Sequence, residues 1–157
     1  MSPLRSLPAF VLAAACLASA AAAAAEPLRV FAVNAPLAWY ARTIAGDAAS
    51  VHMPVPEDRD PASWRPGLDL LAEAQQAELV LLNGAGYAAW VSKVSLPRRS
   101  RVDASRGLED RLITVPGRVH SHGEEGEHSH GVTAAELWLD FDLARAQAAA
   151  VADALRR

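Results

Sequence analysis

Short apolar blocks, set off by proline, glycine and charge, give this chain its rhythm. Residues 28–33 (LRVFAV) form an apolar run ahead of a proline, the pattern of a buried strand. Pro36 falls where the first turn of a helix accepts it, and Asn34 stands as its cap. Leu37, Tyr40, Ala41 and Ile44 recur at helical spacing, and Gly46 closes the segment. Residues 50–55, ending at Pro54 and Pro56, predict a second strand, and residues 57–66 a polar loop. Leu68, Leu71, Ala72 and Gln75 predict a second helix. Residues 78–83 (ELVLLN) are the clearest strand, ending in the turn Gly84-Ala85-Gly86.

Beyond that turn, Tyr87, Trp90 and Val91 suit a short helix, and residues 101–103 and 112–115 suit short strands. Residues 116–131 are polar and bear glycine. Residues 140–157 are Ala-rich with strong helix propensity; Ala144, Ala148, Val151 and Leu155 share one stripe, and Arg156 and Arg157 favour its C-terminal end. Strands alternating with helices at these spacings predict an α/β fold. It is a single three-layer lobe, with a short, mostly parallel four-stranded sheet between helices and a long C-terminal helix. Crossovers are expected to be right-handed. The 57–66 loop and the Gly84 turn then open at the same, carboxyl end of the sheet, where such folds place their sites.

Composition changes the picture at the N-terminus. Residues 1–25 hold one charge, Arg5, a compact apolar core over residues 7–18, and Ala23-Ala24-Ala25 ahead of Glu26. That is the layout of a secretory signal peptide cleaved after Ala25. A lipidated reading would use Cys16, but Ala13, Ala14 and Ala15 precede it without the usual Leu. One domain, residues 26–157, is expected to follow, in the periplasm. Without the leader the chain has 14 basic and 18 acidic residues, a net charge of −4, which suits neither nucleic acid nor an anionic membrane surface. Cys16 is the only cysteine, so a disulfide framework, a Cys-type zinc finger and a cysteine nucleophile are excluded from the mature chain. No later stretch reaches 18 consecutive apolar residues, so no membrane span is expected after the leader.

One segment carries a chemical pattern. Four of the five histidines, His120, His122, His128 and His130, lie in the text HSHG-EEGE-HSHG. Imidazole is the commonest protein ligand for zinc and also suits copper and nickel. In extended chain, residues i and i+2 point the same way, so each His-x-His pair aims two rings at one ion. Gly123, Gly126 and Gly131 let the loop (residues 117–131) fold back so that both pairs close on one tetrahedral centre. Glu124, Glu125 and Glu127 lower the potential between them. The competing reading is a solvated polar loop. His52 suits an edge-strand or half-buried position, and Trp39, Trp64, Trp90 and Trp138 suit the core or its margin. Glu57, Asp58 and Asp60 read as a solvated loop face, with assistance to a metal as the lesser alternative.

At these residues the text resembles the N-terminal lobe of the zinc- and manganese-specific periplasmic solute-binding proteins of ABC importers. The resemblance rests on residues 28–46 (LRVFAVNAPLAWYARTIAG), 60–66 (DPASWRP), 70–90, with LLAEAQQAELVLLNGAGYAAW, and 136–140 (ELWLD). It implies a zinc-type, half-length member, with a His-rich loop before the last motif. Two positions depart from the pattern. A ligand His of the family falls at Ala62, which has no donor, and another at Glu136, whose carboxylate retains a ligating group. The resemblance further implies that remaining ligands come from a second lobe, and that residues 140–157 correspond to the start of the helix leading to it.

The expectation that follows is a zinc-binding auxiliary protein of the periplasm. It takes Zn²⁺, or another divalent transition metal, on His120, His122, His128 and His130 with Glu136. It then buffers the ion or passes it to a full-length zinc-binding protein or ABC importer. The alternative is a metal-independent module that docks on a transporter, and the apolar stripe of the last helix suits a second copy or a partner. An enzyme is not expected, for there is no P-loop, no Gly-x-Ser-x-Gly elbow and no mature cysteine.

Overall fold

The computed structural model describes residues 26–115 and 132–157. Four parallel strands make the main sheet: β1 (Leu28–Ala32), β2 (Ala49–His52), β3 (Leu79–Leu82) and β4 (Arg101–Asp103), in the order β2-β1-β3-β4. β3 is LVLL, and all four of its side chains are buried. A strand covered on both faces reads as a continuous apolar run, because neither alternate position meets water. Each Leu or Val so buried contributes about 1.5–3 kcal/mol.

α1 (Ala35–Ala45) begins as its sequence dictates. The Asn34 side chain accepts from the Leu37 N–H, proline stands in the first turn, and Gly46 ends the helix at φ +53°. It buries Leu37, Ala38 and Ala41, leaving Ile44 largely exposed. α2 (Leu68–Gln76) is shorter and buries only Ala74, with Leu71 half-buried against the core and Leu68 in solvent. Right-handed crossovers from β1 outward to β2, then back past β1 to β3, place α1 and α2 on opposite faces. Phe31, facing the α2 side, meets His52 and Trp90 edge-on, both at 6.3 Å between ring centres.

α3 (Phe141–Leu155) packs beside α1. Asp140 caps it, accepting from the N–H groups of Asp142 and Leu143. Its buried stripe is Leu143, Gln147, Val151 and Ala154, displaced from the expected Ala144, Ala148 and Leu155. Apolar periodicity alone cannot locate a buried stripe in a helix so rich in alanine, and the longer Leu143 and Gln147 settle it.

The second strand ends at His52 instead of Val55, because Pro54 and Pro56 cannot extend the ladder. The segment expected to be a strand at 112–115 forms only β5 (Thr114–Val115). It pairs antiparallel with β6 (Val132–Thr133), apart from the main sheet. Among the described residues no helix is long and apolar enough to cross a membrane.

Candidate metal site

The strand order reverses between β1 and β3, which run parallel, so their carboxyl ends flank the natural crevice of the sheet. Asn34 follows β1 there and Asn83 follows β3, each about 1% exposed. Asn34, Pro36, Asp60, Tyr87, Glu136 and Trp138 line the cleft above them.

Three groups in the cleft bear on cation chemistry. Asp60 is exposed and caps its own turn, its carboxylate accepting from the Ala62 N–H and the Ser63 hydroxyl. Glu136 is exposed, immediately before the turn Leu137–Leu139. Tyr87 is buried, and its ring meets Trp138 edge-on at 5.5 Å. Its phenol is pushed up to about 12, first by burial, then by the negative charges of Asp60 and Glu136. Two carboxylates therefore act on one hydroxyl, and the cleft is electronegative.

Asp60 was expected as a solvated loop face, with assistance to a metal as the lesser alternative. It is solvated, and its turn brings it to the cleft, at the end of the sheet where its loop was expected to open. Ala62, half-buried against the core, brings no donor. Among the described residues no three His, Cys, Asp or Glu side chains group into a metal cage. Glu136 alone of the expected ligands falls on the described cleft; His120, His122, His128 and His130 lie outside the described residues.

His52 sits on the edge strand β2 with its side chain 51% exposed, as its edge-strand reading requires, and its Nδ1 meets the Glu73 carboxylate of α2. Of the tryptophans, Trp90 is in the core, Trp138 packs at its margin and Trp64 is half-buried, whereas Trp39 is 63% exposed on α1. Trp39 corrects the expectation of a core role. It neighbours Leu37 and Ala38 in sequence, but a helix turns successive residues onto different faces.

Asn83 and Gln147 escape a reading for donors and ligands. Asn83 ends an apolar strand, and Gln147 interrupts an alanine helix. Their signal is a single amide at a position where the neighbouring pattern predicts burial.

The family model for the zinc-uptake complex component A, periplasmic (ZnuA), matches residues 30–157. The metal ABC transporter substrate-binding lipoprotein FimA of Streptococcus parasanguinis is 32% identical over 133 residues, 82% of this chain and 41% of that protein. The zinc-binding lipoprotein AdcA of Streptococcus pneumoniae serotype 4 is 26% identical over 98 residues, 59% of this chain and 20% of that protein. In fold, the chain matches the solute-binding protein FpvC of Pseudomonas aeruginosa, solved in complex with Mn²⁺, with a TM-score of 0.65 and 18% identity, covering 84% of this chain and 50% of that one. The chain thus spans half or less of the length of these relatives. Its family is one of metal-uptake components and not of enzymes. With the parallel sheet, the crevice between β1 and β3, and a match running from β1 to the end of α3, the chain belongs to the ZnuA family.

Proposed function

We propose that the chain is a periplasmic zinc-binding auxiliary protein, delivered by a cleaved leader. It captures or buffers Zn²⁺ on His120, His122, His128 and His130, and Glu136 supplies an oxygen donor from the cleft. The observation that carries this reading is the doubled HSHG in a ZnuA-family lobe whose cleft, among the described residues, offers carboxylates but no imidazole. The cleft carboxylates attract a cation, yet they lack the borderline-soft donors that favour zinc over harder ions, and the paired histidines supply them. The relatives bear on the metal: AdcA is named for zinc, and FpvC was solved with Mn²⁺. The recipient of the ion is a full-length zinc-binding protein or the ABC importer it serves.

Calorimetry with Zn²⁺, on the wild type and on a variant with all four loop histidines changed to Ala, tests the assignment. Binding is expected in the first and a large loss in the second; equal binding in both contradicts it.

A second reading has its own observation. Ile113, Leu139 and Phe141 are 53%, 74% and 90% exposed, and Ile113 and Leu139 line one hollow with Leu137 and Leu143. Large apolar side chains exposed together favour a contact with a second copy or with a transporter component. Capture of an importer component from periplasm, undiminished by chelator, favours docking without metal.

A further inference from the structure

The crevice floor is a network of three buried amides drawn from three distant parts of the chain. Asn83 Oδ1 accepts from Asn34 Nδ2 at 3.0 Å and from Gln147 Nε2 at 3.1 Å. Asn83 Nδ2 donates to the Ala135 carbonyl at 2.8 Å and to the Gly84 carbonyl at 3.3 Å. An Asn side chain has two donor hydrogens and two acceptor sites, so Asn83 has none to spare.

The amide orientations are fixed by this chemistry. Turning the Asn83 amide over would set its NH₂ against two donors and its oxygen against two carbonyls. Turning Gln147 would set its oxygen against Asn83 Oδ1 and the Asn83 carbonyl, which accepts from Nε2 at 3.4 Å. The network keeps this arrangement although Gln147 Oε1 is buried without a partner among the described residues.

One bond of the network reaches the cleft. Ala135 directly precedes Glu136. The segment is held by the Ala134 N–H on the Ile113 carbonyl at 2.8 Å, by Asn83 on the Ala135 carbonyl, and by the buried Leu137 side chain. Glu136 stands between the last two anchors, so its backbone direction is set from both sides.

We infer that Asn83 is the positioning residue for the Glu136 carboxylate: it locks the preceding peptide to the end of β3 and aims the carboxylate into the crevice shared with Asp60 and Tyr87. Gln147 orients Asn83 from α3, and Asn34 does so from the start of α1. The inference rests on the proposed role of Glu136 as a metal donor.

The test is a double-mutant cycle on the full chain, read as Zn²⁺ affinity by competition with a chromophoric chelator, beside amide hydrogen exchange of the metal-free protein. Asn83→Ala is expected to weaken Zn²⁺ binding about tenfold or more, the scale typical of losing a group that orients a metal ligand. In the Glu136→Ala background the same change is expected to cost nothing further, because the effect passes through Glu136. Exchange of the amides of residues 134–139 is expected to accelerate while those of β1 and β3 stay protected. Should Asn83→Ala not fold, Asn83→Asp replaces it: it keeps the volume and Oδ1 but turns an acceptor on the Ala135 carbonyl. Unchanged exchange in residues 134–139, or an equal affinity loss in both backgrounds, overturns the inference. If Glu136→Ala binds Zn²⁺ as the wild type does, the assignment of Glu136 as a ligand falls. The hold of Asn83 on the segment is then judged by exchange alone.

Discussion

Val115 and Val132 are partners in the antiparallel β5–β6 ladder. The chain leaves this ladder at Val115 toward the four histidines and returns at Val132, so the fold itself holds the two ends at ladder distance, about 5 Å. Closing a free loop of this length onto an ion would cost chain entropy; here the neck has already met the closure part of that cost.

The neck is therefore predicted to contribute to affinity without touching the metal. Ala134→Pro removes the N–H that donates to the Ile113 carbonyl at 2.8 Å beside the ladder. A lost hydrogen bond of about 1 kcal/mol corresponds to roughly a fivefold change in affinity. Chelator competition is expected to show a Zn²⁺ affinity reduced on that scale, with the main transition of thermal unfolding retained.

The loop chemistry fixes the pH response of the metal complex. Imidazole must be neutral to ligate, so protons compete with zinc as pH falls through about 6.5. Between pH 7.5 and pH 5.5 the affinity is expected to fall steeply, and binding at neutral pH to release protons detectable in buffers of different ionisation enthalpy. A carboxylate-only site would hold its affinity to about pH 4.

Tyr87 sets an alkaline limit on the fold. Its phenol is raised to about 12 in the native lobe, mainly by burial, against about 10 in an unfolded chain. Between those values the native state keeps a proton that the unfolded state has lost, so the contribution is complete below pH 10 and disappears as pH climbs toward 12. Chemical denaturation across that window is expected to show falling stability in the wild type and a flatter profile in Tyr87→Phe. Glu136→Gln removes one of the two charges that raise the phenol and is expected to bring its titration to lower pH.

Gly84 is predicted to be irreplaceable at the cleft's edge. Its φ is +75°, and a Cβ there would lie 1.8 Å from Ser105 Oγ and 2.4 Å from Asp103 Oδ1. The backbone strain alone costs about 1–3 kcal/mol, before any clash. Gly84→Ala is expected to lower the denaturation midpoint, and Gly84→Ala with Ser105→Gly to recover only part of it, since the second change removes the contacts with Ser105 but neither the one with Asp103 nor the strained φ.

Gln147→Leu is expected to be close to neutral in stability. It gives up the donor to Asn83 but also removes Oε1, which is buried without a partner among the described residues; a net hydrogen bond of about 1 kcal/mol is offset by the cost of about 1–3 kcal/mol for an unsatisfied group. Phe31→Ala, at 1% exposure in the core, supplies the contrast at about 3–5 kcal/mol.

The parallel sheet was legible because its strands are short apolar runs with breakers at their ends, and α1 because Asn34, Pro36 and Gly46 mark its limits. The buried face of α3 was not, since alanines offer equal apolarity all round the helix. The cleft was half legible. Glu136 stands out only through the family resemblance, which puts a ligand histidine at its position, whereas Asp60 and Tyr87 meet it because loops after β2 and β3 open at one end of the sheet. Asn83 was hidden for a different reason: it binds backbone and amides, so no spacing of chemically reactive residues announces it.

The most direct measurement is equilibrium dialysis of the full chain against micromolar Zn²⁺ at pH 7.5, followed by metal analysis, with the variant lacking His120, His122, His128 and His130 alongside. The wild type is predicted to retain zinc and the variant to lose most of it. A wild type that emerges without zinc, or a variant that keeps as much, contradicts the account.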